Sequence, residues 1–209
     1  MSGIINIEIP DMERTIRAMT RGVRHLPGEC SVAVARAVNR TLDAVRAEAV
    51  RMGRERYTAR AESLRKRAVI RRATRTAPVG VLELRGRKGM SLLHFRPQPG
   101  VIPQWKGIPV KQRRPKDGVS SLIKKGGRRK VYAKGDNKPF LAKVSDRVGV
   151  FVRQPGTDKL EMLYGPSPIQ AIGGQAGRER LQSKARETFE KRLRHEVDAL
   201  LAGHIRGKR

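Results

Sequence analysis

A regularly spaced apolar stripe between residues 35 and 52 is the feature that most limits the folds open to this chain. Its members are Ala35, Val38, Leu42, Val45, Ala49 and Met52. The alternation of three- and four-residue steps puts them all on one face of a helix, and the arginines between them fall on the other faces. Several members are small, so a partner element can approach closely. The stripe predicts either core packing against a sheet or a helix–helix seam between subunits.

Three further helices are predicted from spacing and from break signals. A short strand in residues 4–9 is stopped by Pro10, and an amphipathic helix follows from Met12 to Leu26, where Pro27-Gly28 interrupts it. Thr58 is expected to cap a short helix that ends at Arg67. The last helix is predicted from about Gly177 to Ala202. Its apolar face is formed by Leu181, Ala185, Phe189, Leu193, Val197 and Leu200.

Between these helices the pattern changes to short runs rich in β-branched residues and leucine, separated by glycines. The predicted strands lie in residues 68–74, 79–87, 91–96, 119–125, 129–134, 140–144, 148–154 and 160–165. Helices, then strands, then a helix indicate an α+β fold with a central antiparallel β-sheet or a partly closed barrel. Length and composition favour one domain spanning residues 1–209.

A proline-rich segment separates the two groups of strands. Residues 96–117 contain five prolines and the only tryptophan, Trp105, and are predicted to form a long extended loop. Trp105, Arg113 and Arg114 are its candidate contact residues. Residues 203–209 are predicted to be a basic tail.

The charge is large and unevenly placed. The chain carries 47 Lys and Arg against 19 Asp and Glu, a formal net charge of +28. Ser63 to Gly135 holds 21 basic residues and only Glu83 and Asp117 on the acidic side, which is +19 of that total. A solvated surface is the simplest interpretation of a charge run. An excess of this size instead favours contact with nucleic acid or with an acidic protein surface.

The form of that contact is limited by what the sequence lacks. Aromatic residues make up 4% of the chain, which argues against stacking platforms for single strands. No helix-turn-helix, zinc-finger or basic-zipper pattern occurs, so non-specific contact with phosphates is expected. The stretch KKGGRRK is predicted to be a basic hairpin turn. The candidate contacts to DNA or to a protein partner are Arg65, Lys66, Arg67, Arg71, Arg72, Arg75, Lys124, Lys125, Arg128, Arg129 and Lys130.

Signals for catalysis are poor. The four histidines are scattered without metal-ligand spacing, no phosphate-binding glycine loop or nucleophile elbow is present, and Cys30 is the only cysteine. We therefore predict no enzyme activity, no metal and no cofactor. No stretch approaches 18 apolar residues, which predicts a soluble, intracellular chain that does not enter a membrane.

Several segments resemble the minor tail protein Z family of lambda-like phages. They are RAVNRTLDAVRAEAVR (36–51), RYTARAESLRKRAVIRRAT (56–74), GVFVR (149–153) and LYGPS (163–167), with LLHFRP (92–97) and GVSSLIKKGGRRKVY (118–132) as similar central strands. Their order and spacing fit as well. The resemblance covers about Ala33 to Ser167, and the proline-rich loop is longer than the family leads one to expect.

The resemblance implies a structural protein of the virion, located at the head-proximal end of the tail and assembled in the host cytoplasm. It implies tail completion and head–tail joining, without enzyme activity. The implied partners are further copies in a ring, with a hexamer as the expected number, a tail-terminator or tail-tube protein, a head connector or neck protein, and DNA phosphates. The alternative from the residues alone is a free non-specific nucleic-acid-binding protein.

Overall fold

The computed structural model describes residues 4–7, 12–23, 27–86, 89–100, 117–172 and 174–203. Within these residues the chain has an α+β fold, as predicted. The α-helices are α1 Met12–Met19, α2 Pro27–Arg56, α3 Ala61–Arg67, α4 Pro168–Ile172 and α5 Gly174–Leu201. Two 3-10 turns lie at Arg21–Val23 and Leu92–His94.

The strands form three small antiparallel sheets in the described part of the chain. The strands are β1 Ile4–Ile7, β2 Ala68–Arg71, β3 Val81–Arg85, β4 Ser120–Ser121, β5 Lys130–Val131, β6 Phe140–Val144, β7 Arg147–Arg153 and β8 Leu160–Met162. They are arranged in the orders β1-β3-β2, β4-β5 and β6-β7-β8. The predicted antiparallel strands are thus confirmed, and over the described residues they form three small sheets without a closed barrel.

Helices α2 and α5 form an antiparallel pair. Arg36 and Arg40, near the start of α2, lie 3.9 and 3.8 Å from the Glu196 carboxylate near the end of α5. At the other end of the pair, Arg180 reaches Glu48 of α2 at 3.0 Å. The apolar stripe of α2 and the apolar face of α5 meet in one buried cluster, which Ala68, Leu82 and Leu84 of the first sheet complete.

The predicted seam of α2 is therefore buried within the chain rather than between subunits. It contacts both a sheet and a helix. Its members between Ala35 and Met52 are at most 6% exposed. Small residues on the seam let the α5 backbone approach, which is the packing that alanine-rich helix faces favour.

A second buried cluster lies around the C-terminal part of α2. It joins Val50 and Leu64 to Met90 and Phe95 and to Val150 of the third sheet. Both Met90 and Phe95 are fully buried. This cluster connects the helical half of the molecule to the sheet β6-β7-β8 and supports the surface described below.

Three local predictions were wrong. The first helix ends at Met19 and a 3-10 turn follows at Arg21–Val23, where one continuous helix from Met12 to Leu26 was predicted. Residues 91–96 do not form a strand, because the Ser91 hydroxyl accepts a hydrogen bond from Leu93 N–H (3.3 Å) and caps a 3-10 turn. Thr58 does not cap α3. The helix begins after Arg60, which makes no side-chain cap, and Thr58 instead hydrogen-bonds to the segment that precedes Lys124.

Most of the proline-rich loop (residues 101–116) and of the basic tail (residues 204–209) lies outside the described residues. So do Trp105, Arg113 and Arg114, the candidate loop contacts. No helix in the described ranges combines the length and the apolar character that a bilayer crossing requires.

Candidate polyanion-binding surface

The stretch KKGGRRK forms the turn between β4 and β5. Ser120 pairs with Val131 and Ser121 with Lys130. Gly127 N–H donates to Lys124 O (3.1 Å), and Gly126 has a φ of 74°, a region that glycine enters without steric cost. The prediction of a basic hairpin turn is confirmed, and all five of its cations are exposed.

This hairpin is attached to the C-terminal end of α2. Thr58 N–H donates to Ile123 O (2.9 Å), Lys125 N–H donates to Arg56 O (3.0 Å), and the Thr58 hydroxyl bonds to Leu122 O. A helix C-terminus carries partial negative charge from its unpaired carbonyl groups. Basic side chains of the hairpin are therefore placed where that field favours them.

A cavity of about 680 Å³ opens between the hairpin, the end of α2 and the segment 164–170. We call it the tyrosine groove. The chain has three tyrosines, and all of them line it. The described residues that line it are Tyr57, Ile123, Lys124, Gly127, Arg128, Lys130, Tyr132, Tyr164, Gly165, Pro166 and Gln170.

A smaller cavity of about 240 Å³ shares Tyr57 with the tyrosine groove. It contains Arg54, Arg96 and Lys125. Among the described residues, the two cavities together present six basic side chains and no carboxylate. Adjacent cavities of one sign concentrate an anionic ligand, because the low-dielectric walls focus the field.

The wall of the groove around Tyr164 is held rigidly. Gly165 N–H donates to Met90 O (2.8 Å), and Met90 N–H donates to Pro166 O (3.1 Å). A Cβ on Gly165 would lie 2.6 Å from the Phe95 ring, so only glycine fits there. Contact with Met90 and Phe95 of the second buried cluster thus fixes the backbone on both sides of Tyr164.

Helix α4, which follows Tyr164 in the chain, has a capped N-terminus. Gln170 N–H donates to the Ser167 hydroxyl (3.2 Å), and Ser167 N–H donates to Gln170 Oε1 (2.9 Å). This reciprocal pair is a capping box, and Pro168 occupies the first helical position, where its missing N–H costs nothing. The motif LYGPS is therefore explained by local structure: it places Tyr164 and starts α4.

The predicted basic contacts fall into two groups. On α3 and β2, part of the charge is neutralised within the chain: Lys66 Nζ lies 2.8 Å from Glu62, Arg72 lies 3.1 Å from Asp43, and Arg71 pairs with Glu83. The remaining candidates have no acidic partner among the described residues; they are Arg65, Arg67, Arg75, Lys124, Lys125, Arg128, Arg129 and Lys130.

Hydrogen bonding and burial adjust the ionisable groups near these segments. The hydrogen bond from Lys66 lowers the pKa of Glu62, and the hydrogen bond from Arg85 lowers the pKa of Glu83, so both carboxylates stay charged. Burial raises the pKa of Tyr132 in the groove. Its phenol therefore remains neutral and can donate a hydrogen bond.

Sequence reasoning found the basic hairpin but missed the tyrosines and the arginines of the smaller cavity. Tyr57, Tyr132 and Tyr164 come from three distant segments, and the low aromatic content argued against a stacking surface. No local pattern joins them. The only sequence signal is that each tyrosine lies in one of the segments that resemble the minor tail protein Z family.

Comparisons of this chain with protein-family models, with curated proteins and with solved structures find no match. Over the described part of the chain, no group of three or more His, Cys, Asp and Glu side chains is placed to hold a metal ion. The features of this chain that bear on its function are therefore the basic hairpin and the two cavities beside it.

Proposed function

We propose that this chain is a structural, non-enzymatic subunit of the head-proximal end of a phage tail, where it completes the tail and joins it to the head. In this proposal several copies form a ring around the DNA channel, in contact with a tail-terminator or tail-tube protein and with a neck protein. The basic hairpin surface contacts the phosphates of the passing DNA.

The observation that carries the proposal is the pair of cavities, whose described lining contains six cations and no carboxylate. A surface of this kind fits the backbone of a polyanion without reading its bases. Three segments that resemble the minor tail protein Z family, around Tyr57, Lys124 and Tyr164, contribute to the larger cavity. The resemblance thus bears on the same surface as the charge.

A free non-specific nucleic-acid-binding protein is the second candidate. The same two cavities favour it, because contact with phosphates does not require a ring or a virion. The candidates differ in what loss of the protein does. A tail-completion subunit is needed for assembly, whereas a free binding protein leaves particle assembly intact.

The test is deletion of the gene, followed by electron microscopy of lysates and sedimentation of labelled protein with isolated tails. We expect filled heads and full-length tails that fail to join, and label at one tail tip only. Complementation by the intact gene is the control. Normal infectious virions from the deletion, or label along the whole tail, would reject the proposal and favour the second candidate.

A further inference from the structure

The tyrosine groove combines aromatic rings with cations in a way that phosphate contact alone does not require. We infer that it binds single-stranded nucleic acid, with an unstacked base against the tyrosine rings and the adjoining phosphates on Lys124, Arg128 and Lys130. This inference rests on one part of the proposed function, the contact of the hairpin cations with phosphates. It adds that the groove prefers single strands to duplexes.

The first argument for single-strand binding comes from the aromatic residues of the groove. Tyr57, Tyr132 and Tyr164 come from three elements and meet at one cavity. Tyr164 is 45% exposed, and the other two are half-buried. Tyr57 and Tyr132 also pack against the second buried cluster, so Tyr164 is the ring most open to a base. Stacking of bases on tyrosine rings is tolerant of sequence.

The second argument comes from the basic residues of the groove. Lys124, Arg128 and Lys130 line the same cavity, and none has an acidic partner among the described residues. They lie on one hairpin, so their spacing is fixed by the strand pairing of Ser121 with Lys130. Rings and cations thus line one cavity, and a single strand presents unstacked bases next to its phosphates.

The shape of the groove limits its occupant. At about 680 Å³ it falls within the range of small-ligand sites, roughly 300–1,000 Å³. A duplex keeps its bases stacked inside and presents only phosphates and groove edges. Rings that line an open groove of this size can contact a base face only after the base has left the stack, and a single strand supplies such a base.

An acidic peptide is the competing ligand for a basic groove. Its carboxylates would satisfy the cations, but it has no flat base to place against the exposed part of the Tyr164 ring. Among the described lining residues, the aliphatic ones are Ile123 and Pro166. The ring-rich lining thus favours a nucleic acid, and polyglutamate serves as the probe that separates the two.

The test measures binding of an oligothymidylate and an oligouridylate of about ten nucleotides, which fits the usual site size, and of a duplex of equal charge. Tyr164→Ala removes the most exposed of the three rings, and Tyr164→Phe keeps it. We expect Tyr164→Ala to weaken single-strand binding about 5- to 100-fold, Tyr164→Phe to change it less than about 2-fold, and duplex binding to stay unchanged. Leu160→Ala, an exposed residue outside the groove, is the matched control.

Photocrosslinking with 5-iodouracil oligonucleotides supplies the second readout and does not depend on a substitution. Crosslinks at Tyr57, Tyr132 or Tyr164 support the inference. Crosslinks confined to other residues overturn it, as do equal losses of duplex and single-strand affinity in Tyr164→Ala, or tighter binding of polyglutamate than of oligothymidylate. If one of these results is obtained while duplex binding or the deletion phenotype persists, only the single-strand inference is rejected. The proposed function is then unaffected.

Discussion

At the scale of single residues, Leu42 tests the buried face of α2. It is 3% exposed in the cluster shared with α5 and the first sheet. Leu42→Asp places a carboxylate there without a partner, and we expect it to lower the free energy of unfolding by more than about 3 kcal/mol. Ala47→Asp introduces the same side chain at an exposed position of the same helix and should cost less than about 1 kcal/mol. Urea denaturation measures both, and equal losses would show that the face is misassigned.

Glu48 provides a second residue-scale prediction, about pH. Its carboxylate accepts two hydrogen bonds from Arg51, at 2.9 and 2.7 Å, and lies 3.0 Å from Arg180 of α5. Hydrogen bonding to Arg51 lowers the pKa of Glu48 from its ordinary value of 4.5, although burial opposes this. The folded state therefore holds the ionised form more strongly than the unfolded state does. This stabilisation is present above about pH 4.5 and is lost as the pH falls through the folded pKa.

Glu48→Gln should accordingly lower the Tm at pH 7 by about 2–4 °C, and the difference from the parent should shrink as the pH falls below about 4.5. Thermal unfolding followed by circular dichroism between pH 7 and 3 measures this. Glu187→Gln, whose partner Lys184 lies on the same helix, is the control. A difference that stays constant with pH would show that Glu48 contributes through packing and not through its charge.

At the scale of elements, the wall that carries Tyr164 depends on a close approach between two backbone segments. A Cβ at Gly89 would collide with the carbonyl oxygen of Gly165, and a backbone atom cannot move aside as a flexible side chain does. Gly89→Ala should therefore displace the wall, lower the Tm and weaken oligothymidylate binding together. Gly22→Ala meets nothing within 4 Å and should leave both unchanged. Retention of full single-strand affinity in Gly89→Ala would show that the wall does not position Tyr164.

The elements also show how far the sequence leads. Periodicity predicted α2 and α5 and their buried faces, because a helix face is a local property of spacing. It did not predict that α2 packs against α5, since pairing of distant helices depends on the tertiary fold. The strand predicted at residues 91–96 failed for a local reason, the cap that Ser91 makes on Leu93 N–H. The tyrosine groove could not be predicted, because three separated segments form it only after the hairpin docks on α2.

At the scale of the whole molecule, the net charge of +28 raises the question of whether binding to DNA depends on total charge or on one surface. Two triple variants separate these possibilities, because each lowers the formal charge to +25. Lys124→Gln, Arg128→Gln and Lys130→Gln remove cations of the groove that lack an acidic partner among the described residues. Lys66→Gln, Arg71→Gln and Arg72→Gln remove cations already paired with Glu62, Glu83 and Asp43.

Counterion release makes the logarithm of the duplex affinity fall linearly with the logarithm of salt concentration, by about 0.9 per neutralised phosphate. If the hairpin meets the phosphates, the first triple should reduce that slope by up to about 2.7, whereas the second should change it by less than about 1, because ion-paired arginines release few counterions from DNA. Fluorescence anisotropy across a salt series measures both slopes, and Tm values check that each variant is folded. Equal reductions in the two triples would mean that the protein attracts DNA through its overall field. DNA would then have no defined binding surface on the protein, and the hairpin would contribute no more to binding than other basic residues do.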